Sequence, residues 1–483
     1  MSVAKEPTVA REIESKYDIA PDFVMPDLSH HADHVDTDTV SLSSTYYDTD
    51  EQDLLRYRIA LRHRAGDADT GWHLKIPGNG WRTELRWPPG DEPPDDLLEL
   101  LRPFVRERPV TPSLRLDVTR VRHRLNTAPD ELIAEVAQDE VRAVGLGAAA
   151  RAPRWNEAEI ELGPAGSPAV LASIGKALRG AGAHRSTSRS KLARALVGIG
   201  NEGVGTPRTS AGAVLVDYIA QQCDALVAGH FAIIRDADEA VHDTRVGSRR
   251  LRSTLRTFEH CFDAEQAVAF EDELKWYATT LGEVRDMEVL RARLAAAVAE
   301  LPAELVVGPV ADHIDKQLSD DLATHRAELL DAMASERYAD LLVEATRWRD
   351  DPPFTAAAGR PASTLQEAVG RIEKTLAKRL NDAARKSSTD EQMHRARKAG
   401  KRVRYAAEAA TAAGDPDAPK IAKKIKGLQD VLGEFQDSVV AAELLRRLAS
   451  DAADRGEDSF TYGVLVAEER QNALQARRRA RKH

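Results

Sequence analysis

Acidic side chains recur at alternate positions at both ends of the first ~160 residues, and basic side chains alternate on the segments between them. The first group is Glu12-Ile-Glu14-Ser-Lys16 and the second is Glu157-Ala-Glu159-Ile-Glu161. In a β-strand, residues two apart share a face, so Glu12, Glu14 and Lys16 point one way, as do Glu157, Glu159 and Glu161. The same rule groups Arg58 with Arg62 and Arg64, His73 with Lys75, Arg82 with Glu84 and Arg86, Arg120 with Arg122 and Arg124, and Glu135 with Asp139. Burying such charges dry costs several kcal/mol each. The faces therefore either meet solvent or line a wet channel, and the repetition of both signs on strand after strand favours the channel.

A polyanion such as a triphosphate matches the basic half of this set, because Arg and Lys donate to phosphate oxygens. The acidic half repels it by roughly 4 kcal/mol per pair at ~4 Å and an effective dielectric near 20. Both halves make sense together if a hard divalent cation mediates, and Mg²⁺ or Mn²⁺ prefers carboxylate and phosphate oxygen. Glu12 and Glu14 are the expected ligands of one ion. Asp139 with Glu157, Glu159 and Glu161 would hold a second and activate a water. Lys16, Arg62, Arg64, Lys75, Arg82, Arg120, Arg122 and Lys191 would neutralise charge on a transferred phosphoryl group, with Glu84 beside them. The expected catalytic set is Glu12, Glu14, Lys16, Asp139 and Glu159. No Ser-His-Asp arrangement or P-loop glycine motif stands out, so covalent catalysis is not indicated.

The elements that carry these residues fall in two halves. Residues 7–199 read as β-rich, with alternating segments cut by Pro77-Gly-Asn-Gly80, Pro88-Pro-Gly-Asp91 and Gly163-Pro-Ala-Gly166, and with short helices near 95–102 and 167–181. Residues 200–211 read as a linker. From 212 to 478 the pattern is helical, rich in Ala, Leu, Glu and Arg, and a Pro/Gly-rich break at 350–363 splits it into repeats of about 212–350 and 362–475. At 483 residues two domains are expected. A net charge of −10 argues against non-specific nucleic-acid binding by the whole chain but leaves room for local basic faces. Cys223 and Cys261 lack metal-motif spacing and read as packed thiols of a reduced, cytoplasmic protein. No stretch has the ~20 apolar residues of a membrane helix.

The helical half repeats itself. His242-Asp-Thr-Arg245-Val-Gly-Ser-Arg249-Arg250-Leu-Arg252 matches His394-Arg-Ala-Arg397-Lys-Ala-Gly-Lys401-Arg402-Val-Arg404, and Leu281-Gly-Glu-Val-Arg-Asp286 matches Leu432-Gly-Glu-Phe-Gln-Asp437. Lys275 and Lys426 precede the second motif at equivalent places. On a helix, His242, Arg245, Arg249 and Arg252 form one stripe, and His394, Arg397, Lys401 and Arg404 repeat it. Like charges a turn apart cost a few tenths of a kcal/mol per pair, so a duplicated stripe without interspersed acids points to an anionic partner. The competing reading is that these arginines pair with acids on neighbouring helices, Asp286 and Asp437 among them.

Both halves resemble known families. The ordered set Glu12-x-Glu14-x-Lys16, Tyr46-Tyr-Asp-Thr49, Leu61-Arg-His-Arg64, Trp72-His-Leu-Lys75, Arg82-Thr-Glu84, Asp139, Glu157 to Glu161 and Ser190-Lys191 resembles the CYTH domain of the triphosphate tunnel metalloenzymes over about 10–197. The duplicated histidine–arginine signature resembles the CHAD domain, a histidine-containing helical domain often found behind a CYTH domain, over roughly 211–478. The first resemblance implies an eight-stranded antiparallel tunnel barrel with metal-dependent attack on a bound triphosphate. One departure is His73, where the family often has threonine. The second implies two four-helix bundles that bind inorganic polyphosphate through His242, Arg245, Arg249, Arg252, Lys275, His394, Arg397, Lys401, Arg404 and Lys426. The activity expected is hydrolysis of inorganic triphosphate to pyrophosphate and phosphate. Thiamine triphosphatase remains open, with Trp72, Trp81 or Trp87 as a stacking platform, as does a low-turnover polyphosphate binder. Neither a membrane nor a specific nucleic-acid partner is expected.

Overall fold

The computed structural model describes residues 7–78, 82–128, 131–146, 153–188, 190–197, 209–385, 389–412 and 417–480. The tip of the turn expected at 77–80 and most of the linker expected at 200–211 fall outside them. Two compact units divide the chain, Met1–Gly205 and Thr206–His483.

The first unit is an antiparallel sheet. Its strands are β1 (Thr8–Glu12), β2 (Glu14–Asp18), β3 (His34–Asp48), β4 (Ala60–Ala65), β5 (Gly71–Pro77), β6 (Arg82–Trp87), β7 (Thr111–Asn126), β8 (Leu132–Gly145), β9 (Arg154–Leu162) and β10 (His184–Arg185). They lie in the order β1-β6-β5-β4-β3-β7-β8-β9-β2-β10. This corrects the eight-stranded antiparallel tunnel barrel implied by the resemblance: among the described residues the sheet has ten strands and its ladder is open. The N-terminal segment breaks at Ile13, so β1 pairs with β6 while β2 pairs with β9, and a two-residue β10 adds to β2. Four helices accompany the sheet: α1 (Asp53–Arg56), α2 (Asp95–Val105), α3 (Pro168–Gly180) and α4 (Lys191–Val197). In α2, Leu97, Leu100, Leu101 and Phe104 recur at helical spacing and are buried. Helix α3 starts where Ser167 accepts a bond from the Val170 amide, followed by Pro168 in the first turn.

One face of the long strands changes character along its length. On β7 the series Leu114, Leu116, Val118 continues as Arg120, Arg122, Arg124. In register, Val118 opposes Val141 of β8, and the next same-face pair is Arg120 with Asp139. On β9 the switch runs from Trp155 to Glu157, Glu159 and Glu161. The apolar ends gather with Leu42, Tyr46 and Leu192 of α4 in one buried cluster. Each such side chain contributes about 1.5–3 kcal/mol when fully buried. The dry half of this face thus stabilises the sheet, which leaves its charged half free to stay wet.

The second unit is all helical: α5 (Ala211–Ile234), α6 (Ala240–Thr257), α7 (Ala264–Glu300), α8 (Val310–Met333), α9 (Glu336–Asp350), α10 (Thr364–Ala384), α11 (Asp390–Ala412), α12 (Ala418–Asp454) and α13 (Phe460–Ala480). The sequence repeat places α6 against α11 and α7 against α12, and the latter two are both 37 residues long. The expectation of two four-helix bundles needs correcting, because the first copy carries a fifth helix, α9, which packs on α5. The copies also share a core: Leu290 and Leu294 of α7 and Leu318 of α8 meet Leu444 and Leu445 of α12 and Leu465 of α13. A 37-residue helix is about 55 Å long, so its far half extends past its own bundle and finds partners in the other copy. Arg293 of α7 joins the same region, contacting Glu434 and Ser438 of α12 and Glu469 of α13 at 2.7–2.9 Å. Among the described residues, no helix is long and apolar enough to cross a membrane. Cys223 and Cys261 are buried.

Candidate functional site

The wet half of the sheet encloses a cavity of about 380 Å³. Glu12, Glu14, Lys16, Arg62, Arg64, Lys75, Arg82, Arg120, Arg122, Glu159, Glu161 and Lys191 all line it, although their positions span 180 residues of sequence. Register explains the convergence: Glu14 lies opposite Glu161, Lys16 opposite Glu159, and Glu12 opposite Arg82. Glu157, Glu159 and Glu161 accordingly share the face of Glu14 and Lys16.

Cations and carboxylates alternate around the wall. The Lys75 ammonium donates to both oxygens of Glu12, at 2.9 and 2.7 Å. Lys16 Nζ lies 2.6 Å from Glu159 Oε1 and 3.3 Å from Glu14 Oε2. Arg120 grips Asp139 with two bonds of 2.8 Å and reaches Glu159 at 2.8 Å. Lys191, at the start of α4, is held within 2.6–2.9 Å of Asp139, Glu157 and Glu159. Burial works against the charge on Lys191, but those three carboxylates outweigh it and hold the ammonium well above its ordinary pKa. Burial likewise opposes the charge on Glu159, and Lys16, Lys191 and Arg120 override it to keep the carboxyl well below its usual range.

Three predicted residues do not reach the cavity. Asp139, Glu157 and Glu84 are all buried and ion-paired, and none of them lines it. Glu84, 0% exposed, binds Arg62 at 3.2 Å and His73 at 3.0 Å, lies 3.5 Å from Lys75, and also contacts Arg86. His73, the departure from the resemblance, is fixed on its other ring nitrogen by the Asp69 carbonyl at 2.7 Å. It therefore braces Glu84, and through it Lys75.

The donor set bears on metal binding. Ligand oxygens of Asp139, Glu157 and Glu159 lie within 4.8 Å of one another, so this acidic group could hold a cation, although Lys191 already bridges it. Glu161 is less well neutralised: burial, together with Glu12, Glu14 and Glu159, pushes it up to about 7 despite Lys75. Carboxylates that converge on one cavity and offer only hard oxygen donors fit a hard divalent cation.

Sequence reasoning missed several lining residues. Tyr46 belongs to the buried apolar cluster but also lines the cavity beside Arg62, which pulls its phenol below the ordinary value despite burial. Arg86 and Arg124 line it as well, and their same-face position was the available signal. Asp67 and Asp69, at the β4–β5 hairpin tip, also line it, bonded to Arg122 at 2.5 Å and Arg64 at 2.6 Å. A tip that joins two cavity-facing strands was the clue to them. Trp72 and Trp87 do not line the cavity: they are buried, and their indoles donate to the Gly90 carbonyl and to Asp96. Trp81 lies outside the described residues.

In the helical unit the two basic stripes meet. Burial lowers the pKa of Arg249 on α6, with Arg245, Arg397 and Arg252 adding to the effect. Lys401 on α11 is pushed down to about 6 by burial and by Arg249, Arg397 and Arg245. The Nε atom of Arg397 is buried with no hydrogen-bond partner. The outer stripe positions are matched by acids: Arg252 and Arg256 share Glu271, and Arg404 pairs with Glu408 at 2.9 Å. Arg245 pairs with Asp286 at 3.0 Å, as the competing reading allowed. His394 contacts Gln436 at 3.2 Å; His242 is half-buried on α6, and Lys275 and Lys426 are exposed.

Comparison with known proteins places both units. The CYTH domain family matches residues 10–196 and the CHAD domain family matches residues 217–446. Two Mycobacterium tuberculosis proteins, Rv2226 of strain H37Rv and MT2285 of strain CDC 1551, are each 34% identical over 489 residues, covering 96% of this chain and 94% of the relative. Among solved structures, PptA from Streptomyces chartreusis is 23% identical, covers 57% of this chain and 98% of that chain, and has a TM-score of 0.47. HpAC1 from Hippeastrum, for which a dominant triphosphatase activity is described, is 18% identical, covers 39% of this chain and 95% of that chain, and has a TM-score of 0.27. The chain belongs to the CYTH–CHAD proteins, with a CYTH domain followed by a CHAD domain.

Proposed function

We propose that the CYTH unit hydrolyses inorganic triphosphate to pyrophosphate and phosphate with the help of Mg²⁺ or Mn²⁺. The observation that carries this reading is the shared cavity, in which a ring of lysines and arginines faces Glu12, Glu14, Glu159 and Glu161. An anion binder gains nothing from carboxylates that repel its ligand, so the acids imply a cation that binds with the substrate. A divalent ion would be held by Glu12, Glu14, Glu159 and Glu161 and would supply charge neutralisation and an acidified water. Lys16, Lys75, Arg62, Arg82 and Arg120 bind phosphoryl oxygens and offset the charge that grows on them. Lys191, fixed by Asp139, Glu157 and Glu159, presents one more ammonium. Glu84 holds Arg62 and Lys75 in place. The burial of Trp72 and Trp87 removes two platforms on which a thiamine or base ring could stack, and this favours the inorganic substrate.

The CHAD unit, in the same reading, binds inorganic polyphosphate. Arg245, Arg249, Arg397 and Lys401 crowd together across α6 and α11 with few acids to neutralise them. His242, Arg252, Lys275, His394, Arg404 and Lys426 extend this basic surface.

The test is phosphate release from inorganic triphosphate, ATP and thiamine triphosphate, with and without divalent metal. Release should require metal, be highest for inorganic triphosphate, and vanish in Glu14→Ala. Equal slow release from all three, unchanged by that substitution, would instead support a low-turnover polyphosphate binder.

A further inference from the structure

The hairpin tip between β4 and β5 carries two carboxylates that the proposed chemistry leaves unexplained. Asp67 Oδ2 lies 2.5 Å from Arg122 Nη1, and Asp69 Oδ2 lies 2.6 Å from Arg64 Nη1. Both acids line the cavity, so they occupy guanidinium groups that face the proposed phosphate site.

Neither ion pair is needed to hold the loop. Gly66 and Gly71 bracket it at φ +108° and +145°, where a Cβ would lie 2.2 Å from the Ser41 carbonyl oxygen and 2.3 Å from that of Trp87. The backbone is therefore pinned against its neighbours at both ends. Within the loop, Thr70 donates its hydroxyl to the Asp67 carbonyl at 2.7 Å, and the Asp69 carbonyl contacts His73 at 2.7 Å. Arg122 does not depend on Asp67 for neutralisation either, because Asp38 on β3 already engages it through two bonds of 3.0 and 2.5 Å. The Asp67 carboxylate is thus surplus to folding, Asp69 is the carboxylate that favours the charge of Arg64, and both sit where an anionic ligand would bind.

We propose that Asp67 and Asp69 are specificity-determining residues: they stand in for phosphate on Arg122 and Arg64, and so disfavour phosphate chains long enough to reach the hairpin tip. This inference rests on the triphosphatase reading above. A short chain is satisfied by Lys16, Arg62, Arg120 and Lys191. Each further phosphoryl unit extends toward the hairpin and must displace a carboxylate that already holds its arginine, at a cost in affinity paid by longer chains alone.

The test compares wild type with Asp67→Asn/Asp69→Asn, both as full-length chains with Mg²⁺, on inorganic tripolyphosphate and tetrapolyphosphate. Phosphate release gives KM and kcat for each. The asparagines keep shape and remove charge, so KM for tetrapolyphosphate should fall about fivefold or more and KM for tripolyphosphate less than about twofold, with the change in KM rather than kcat. Each single variant should carry part of the shift, which preserves the test if the double variant folds poorly. An unchanged ratio of the two KM values, or a rise in both, overturns the proposal while leaving the triphosphatase reading intact. Wild type that hydrolyses neither substrate sinks that reading and this inference together.

Discussion

Lys401 offers a sharp test of the helical unit, because its surroundings make opposite demands with and without an anion. It lies on α11 beside Arg397 and faces Arg245 and Arg249 of α6; Asp437 of α12 is the acid that favours its charge, and Asp286 of α7 is engaged with Arg245. Its pKa of about 6 is to be compared with 10.5 for a free lysine. Between those values the unfolded chain binds one more proton than the folded one, so this group lowers stability as pH falls from about 10 toward 6. At 1.36 kcal/mol per unit, the penalty is about 4 kcal/mol at pH 7.5 and about 1.4 kcal/mol at pH 9.5. Lys401→Met removes it. Urea unfolding should therefore show wild type gaining about 2.7 kcal/mol more than the variant between pH 7.5 and 9.5. Bound polyphosphate would reverse the demand by restoring the lysine's charge, so binding at pH 7.5 should take up close to one proton. Calorimetry in buffers of different ionisation enthalpy measures that uptake. Parallel stability profiles, together with polyphosphate binding that takes up no proton, would refute the idea that the two stripes form one crowded cationic site.

Other outcomes follow from buried charges with identified partners. Glu84→Gln should destabilise the first unit by about 3–5 kcal/mol, since Arg62, His73, Lys75 and Arg86 converge on a carboxylate that is 0% exposed; a melting temperature unchanged within a degree or so would show that those cations find other partners. Arg293→Met should cost a similar ~3–5 kcal/mol in the helical unit, because Glu469, 2% exposed, loses its counter-ion. Loss of only a few tenths of a kcal/mol in urea titration would mean that Glu469 protonates or rotates away at little cost.

Much of the first unit could be read from strand parity. The two-residue spacing of Glu12, Glu14 and Lys16, of Arg120, Arg122 and Arg124, and of Glu157, Glu159 and Glu161 assigns each set to one face, and the structure keeps every set on one face. Parity also hid one event, because the break at Ile13 leaves Glu12 and Glu14 on the same side while it divides their strand between two neighbours. The duplicated motif likewise announced two related helical copies. It could not show that α7 and α12 run long enough to share a core, since helical periodicity defines a buried stripe without naming what covers it.

By itself, then, the sequence determined the order of the two units, the alternation that sorts charges onto faces, and the repeat that pairs α6 with α11. Only the tertiary structure decided which charges meet: Lys75 with Glu12 across 63 positions, Lys191 with Asp139, Glu157 and Glu159, and Asp67 with Arg122. The physical reason is that periodicity is a property of one segment, whereas an ion pair depends on the register between segments and on the curvature that brings distant strands around a common cavity.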